Sequence, residues 1–159
     1  PRSTRKESSA ASDVYKRQLH NIAISEENGN VKLFKSETHS GTSSILSKSD
    51  SKNESILIKS LTLDNFLGNS YKKIDWLKID VEGSELFVLK GASNTLKITS
   101  KIIIELHEEI LNQNNQSSKE IIDILTNNNF KITTFNEYWD AKSSQNQNLK
   151  SDYILAEKL

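Results

Sequence analysis

The chain has 159 residues, with 21 basic and 21 acidic side chains and a formal net charge of zero, so no overall field draws it to nucleic acid or to an anionic membrane. It contains no cysteine, which removes disulfides and thiolate metal sites and suits a reducing compartment; with no apolar run as long as a membrane span, the expected location is the cytoplasm. At 35% apolar residues it is expected to form one sheet-centred domain with long polar loops.

Residues 1–18 are Ser-rich and basic and lack any helical or strand period, so they read as a disordered or non-native tail, leaving 19–159 as the folded unit. Methionine is absent even at position 1, and the chain is expected to begin inside a longer reading frame. From Leu19 a pattern sets in. His20 to Ile24 suits a strand ending at Ser25, Asn28-Gly29 signals a hairpin, and Val31 to Phe34 suits the returning strand. Residues 36–53 are a polar run, read either as a functional loop over the sheet edge or simply as a mobile one. Ile56 to Leu61 gives another strand, and Thr62 is placed to cap a short helix that runs through Leu67 and stops near Gly68.

The stretch Ile74 to Ala92 reads as strand, sharp turn and helix. Alternation puts Leu77, Ile79 and Val81 on one strand face and Lys78, Asp80 and Glu82 on the other. Gly83 supplies the turn, Ser84 is expected to cap the helix, and Leu86 and Leu89 are expected to face the sheet. Lys101 to His107 then carries three consecutive isoleucines, the run expected of a parallel strand covered on both faces and lying beside the Ile74 strand. Ser117 to Glu120 forms a capping box for a helix with Ile121, Ile122, Ile124 and Leu125 as its apolar stripe. Phe130 to Phe135 and Asp152 to Ala156 read as two final strands, joined through a polar connection and so expected to pair antiparallel near a sheet edge.

In open α/β sheets ligands bind beyond the carboxyl ends of strands, where Asp80 and Glu82 fall. Two readings stand side by side. Lys78 and Asp80, roughly 6.6 Å apart at a rise of about 3.3 Å per residue, can form a structural ion pair. Alternatively, Asp80 and Glu82 position a substrate hydroxyl, or one of them takes its proton. Ile103, Glu105 and His107 share a face by period two, so His107 can stand near Asp80 across strands about 4.8 Å apart. A histidine with carboxylates can also hold a divalent metal, but Glu108 and Glu109 suit a solvated helix start, and no metal is expected. Serine-nucleophile and phosphate-loop motifs are missing, and Trp76 and Trp139 read as apolar anchors.

Lys78-Ile79-Asp80-Val81-Glu82-Gly83, followed by Glu85, Leu86, Leu89, Lys90, Gly91 and Ala92, resembles the hallmark of the FkbM family of S-adenosylmethionine-dependent methyltransferases, with Thr62-Leu63-Asp64 upstream and Ile102 to Glu105 downstream in the matching places. The resemblance implies a mostly parallel Rossmann-like sheet with antiparallel strands at its C-terminal end. It implies an O-methyltransferase acting on a hydroxyl of a sugar, glycolipid or secondary metabolite, with Asp80, Glu82 and His107 on the substrate side and Ser25 and Asp80 near the cofactor. The family's glycine-rich cofactor loop has no counterpart, since no two of the five glycines are spaced G-x-G. The expectation is therefore a carboxyl-terminal fragment, its sheet truncated at the N-terminus, with no S-adenosylmethionine bound by this chain alone. The alternative is a noncatalytic α/β module. A small-molecule or glycan substrate is expected, with neither nucleic acid nor membrane as partner.

Overall fold

The computed structural model describes residues 18–34, 43–46, 55–135 and 153–159. The tail at 1–17, most of the polar runs 36–53 and 137–150, and Trp139 lie outside them. The described strands form two sheets. In the first, β1 (Ala23–Ile24), β2 (Gly29–Phe34) and β3 (Ser55–Leu61) take the order β1-β3-β2. The expected hairpin between β1 and β2 does not close: β1 runs parallel to the end of β3, with Ile24 opposite Leu61, and β2 runs antiparallel along it, with Gly29 opposite Ser60. Side-chain bonds from the intervening turn explain the difference. Asn28 Oδ1 accepts the Thr62 amide at 3.0 Å and Ser60 Oγ donates to the Glu27 carbonyl at 3.2 Å, so the turn passes over the carboxyl end of β3 and sets β1 and β2 on either side of it.

Thr62 caps α1 (Leu63–Leu67) as expected, its hydroxyl accepting the Asn65 amide at 3.1 Å, and Gly68 ends the helix. Asp64 ties this helix to α3 (Ser93–Ile98), accepting the Asn94 amide at 2.8 Å and the Thr95 amide and hydroxyl at 2.7 Å each. Burial pushes the Asp64 carboxyl up, but those bonds and the nearby Lys97 outweigh it and hold the group below its ordinary value.

The second sheet comprises β4 (Ile74–Ile79), β5 (Thr99–Glu105), β6 (Phe130–Phe135) and β7 (Tyr153–Lys158), in the order β4-β5-β7-β6. As expected, β4 and β5 lie parallel and adjacent, Lys78 opposite Ile103 and Ile79 opposite Ile104. Between them the chain forms α2 (Glu85–Lys90) and α3, divided at Gly91, where a Cβ would come within 2.3 Å of the Ser25 carbonyl oxygen. Close backbone approach is what requires glycine there. Strands β6 and β7 pair antiparallel, and β7 lies inside the sheet, one position from the edge that β6 forms. Among the described residues two of the five strand pairings are parallel, so both sheets are mixed rather than mostly parallel.

Helix α4 (Glu108–Gln113) starts where the acidic pair suggested, and α5 (Ser118–Asn127) starts on its capping box, with Glu120 accepting the Ser117 amide at 3.1 Å. Among the described residues the helices cover one face of the second sheet. Leu86, Leu89, Leu111, Ile121 and Leu125 pack with Ile102, Ile104, Ile154 and Ala156 into the core, all of them 0–1% exposed. The other face is more open: Ile103 is half-buried, Trp76 is 57% exposed, and Lys101 pairs with Glu157 while lying over the Trp76 ring. Ile103 thus departs from the expected two-sided burial of β5, and Trp76 is no buried anchor; the charges of Lys78, Lys101, Glu105 and Glu157 on that face keep it hydrated. No helix among the described residues is long and apolar enough to cross a membrane.

Candidate functional site

The open face of β4 and β5 ends in a cluster of acidic groups around one histidine. β4 stops at Ile79, so Asp80 already belongs to the turn that leads into α2. Within that turn Glu82 takes φ of 50° and Gly83 takes φ of 92°. A left-handed glutamate costs of order 1–3 kcal/mol and persists only where its surroundings hold it. Here the Ser44 hydroxyl donates to the Glu82 carbonyl at 2.7 Å, while Gly83 lies so close to Ile110 of α4 that a Cβ would come within 2.3 Å of Ile110 Cγ2. The strained backbone swings the Glu82 carboxylate to 3.5 Å from His107 Nε2. Strand alternation, which put Glu82 on the face of Lys78 and Asp80, does not extend this far because the strand has ended.

Ser84, expected as the helix cap, makes no capping bond, and its hydroxyl is buried without a partner among the described residues. Its backbone, at φ −101° and ψ 16°, lacks the extended conformation that aims a cap side chain at the next turn. Glu85 serves the turn instead, its Oε1 accepting the Gly83 amide at 2.9 Å and lying 2.7 Å from His107 Nδ1. Glu85 is fully buried.

Asp80, Glu105 and His107 each bring an oxygen or nitrogen within 4.8 Å of the others, a donor set and spacing that could hold a divalent cation. The cation that the described residues place there is Lys78, at 2.9 Å from Asp80 and 4.0 Å from Glu105. The hydrogen bond to Asp80 raises the Lys78 ammonium above its ordinary value, opposed by burial and aided by the charges of Asp80 and Glu105. The ion pair foreseen between Lys78 and Asp80 therefore forms, and the histidine foreseen near Asp80 is there as well. Ser25 stands apart. It packs against Gly91 at the far end of α2 and lines a cleft of about 280 Å³ with Asn28, Ile45, Ser60 and Phe87. Asp80 is not among the residues that line this cleft.

His107 titrates above its ordinary value of 6.5. The hydrogen bond to Glu85 is the main cause, opposed by burial and aided by the charges of Glu85, Glu82 and Glu105. Since the folded state holds this proton more tightly than the unfolded chain, its contribution to stability is complete below pH 6.5 and is lost as pH rises through the higher folded value. Urea unfolding across a pH series is expected to show stability falling on the alkaline side of 6.5, and His107→Gln to flatten that fall. An unchanged slope in the variant would place the titrating group elsewhere.

Glu85 is the site residue that strand-end reasoning misses. The signal was present: with Leu86, Val88 and Leu89 it belongs to the buried face of α2, a carboxylate set among apolar residues in a helix's first turn. Residues 4–132 of the chain match the family model described as "Methyltransferase FkbM domain". No curated protein and no solved structure matches the chain. The match covers more than half of the sequence and includes all of the turn and cluster just described, so the chain belongs to the FkbM methyltransferase family.

Proposed function

We propose that the protein serves as an S-adenosylmethionine-dependent O-methyltransferase whose acceptor is a hydroxyl of a sugar, glycolipid or secondary metabolite. One observation supports this reading most directly: Asp80, Glu82, Glu105 and His107 gather where β4 and β5 end, beside a turn held in a strained conformation. S-adenosylmethionine, when bound, supplies an electrophilic methyl group. This chain's part is to hold the acceptor hydroxyl and remove its proton, because an alcohol is a poor nucleophile until that proton leaves. Asp80 is the exposed carboxylate of the cluster and takes the proton. Lys78, bonded to Asp80, supplies positive charge beside the oxygen as it becomes nucleophilic. Glu82 and His107, about 80% buried, shape the inner wall and accept or donate hydrogen bonds to neighbouring acceptor hydroxyls.

The test is methyl transfer from labelled S-adenosylmethionine to a panel of polyhydroxylated acceptors, using the protein expressed with whatever natural coding sequence flanks it. Labelled product bearing a methyl ether is the expected result. Methylation confined to amines or to carbon would overturn the hydroxyl assignment.

A further inference from the structure

Glu85 touches no space that a substrate can reach, yet it makes the shortest contact with the histidine of the cluster. We propose that Glu85 is a positioning residue, whose buried carboxylate holds His107 with its Nδ1–H turned inward so that Nε2 faces Glu82 and the acceptor side of the cluster. The inference rests on the site reading above, but its geometry stands independently of catalysis.

A carboxylate only accepts, so the 2.7 Å contact between Glu85 Oε1 and His107 Nδ1 requires the hydrogen to sit on Nδ1. The same oxygen accepts the Gly83 amide, which fixes the carboxylate to the turn from which Asp80 and Glu82 also project. Glu85 Oε2 is buried with no partner among the described residues, so the carboxylate's hydrogen bonds come from the histidine and the turn alone, and both draw on Oε1. Moving either donor would leave a fully buried anion with a single hydrogen bond, a cost that favours keeping both in place. Placement in the first turn of α2 adds the favourable end of the helix dipole.

The outer nitrogen therefore has a set direction. In the neutral ring Nε2 is an unprotonated acceptor; in the charged ring it donates toward Glu82 Oε2 at 3.5 Å. Among the described residues, the charged groups beside the ring are Glu82 and Glu85 from the turn and α2, with Asp80 and Glu105 within 4.8 Å of it and Lys78 bonded to Asp80 in turn. Glu85 selects which nitrogen meets the acceptor. Free histidine favours the opposite tautomer, with hydrogen on Nε2, so the clamp has a spectroscopic signature that mere packing lacks.

Nitrogen-15 shifts of the His107 ring, recorded above its titration in the unmodified protein, test this directly. Hydrogen on Nδ1 is the expected state, and hydrogen on Nε2 overturns the inference whatever the enzyme's activity. In Glu85→Gln the neutral amide is a weaker acceptor, so the tautomer population is expected to move toward Nε2 and the ring to titrate lower than in the unmodified protein; unchanged shifts and titration would also overturn the inference. If that variant fails to fold, the unmodified protein's tautomer alone decides. Turnover separates the two levels of the argument: Nδ1–H retained together with full activity in Asp80→Asn would keep the clamp and refute the site reading.

Discussion

Gly83→Ala is expected to destabilise the protein by about 3 kcal/mol or more, a large share of the roughly 5–15 kcal/mol that holds a domain of this size together. Two costs meet at this residue. Its φ of 92° is one that side chains other than glycine's rarely adopt, which costs about 1–3 kcal/mol. Independently, the added methyl would sit 2.3 Å from Ile110 Cγ2 and 2.8 Å from Ile110 Cβ, so α4 has to move or the turn has to open, for about 1–3 kcal/mol more. Gly68 supplies the control. Its φ is 52° with nothing within 4 Å of a new Cβ, so Gly68→Ala carries the backbone cost alone. Trimming the neighbour in Gly83→Ala/Ile110→Ala is expected to recover part of the loss through the removed clash, a coupling that a double-mutant cycle in urea measures. Equal losses for Gly83→Ala and Gly68→Ala would show that α4 yields freely and that the turn is not pinned by it.

The turn also marks where the sequence stops being readable by period. Up to Ile79 the alternation of β4 is faithful, and so is the pairing of Lys78 with Asp80, because a strand's geometry carries over two residues without outside help. Past Ile79 the direction of each side chain is set by contacts distant in sequence. Ser44 holds Glu82, Ile110 holds Gly83 and His107 holds Glu85, and no local pattern encodes partners 38, 27 or 22 residues away. The first sheet fails in the same manner. Asn28-Gly29 has hairpin chemistry, but a bond from Asn28 to Thr62 commits the turn to β3 instead. By contrast Thr62 and Ser117 cap their helices as read, since capping depends on residues three positions apart. His107 was placed near Asp80 by strand register, a long-range inference that succeeded because the strand and helix order fixes β4 and β5 as parallel neighbours. Glu85 escaped because a carboxylate in a first turn reads as ordinary helix chemistry until its burial is known.

Asp80→Asn is expected to lower turnover by about two orders of magnitude or more, the usual range for loss of a general base being roughly 10²–10⁴-fold. Asparagine fills the same space and still accepts a hydrogen bond from Lys78, but it cannot take a proton from an acceptor hydroxyl. The fold is expected to be indifferent to the change. The Lys78 and Asp80 side chains are 60% and 36% exposed, and an ion pair in that setting is worth about 0–1 kcal/mol. Activity and stability thus answer different questions in a single variant: a collapse in turnover with unfolding unchanged assigns Asp80 to chemistry, and unchanged turnover assigns it to the ion pair. Lys78→Gln sharpens the distinction. If Asp80 only pairs with Lys78, the two variants should resemble each other in every measurement. If Asp80 is the base, losing Lys78 removes an assisting charge but leaves the base itself, so Asp80→Asn must be the more damaging of the two.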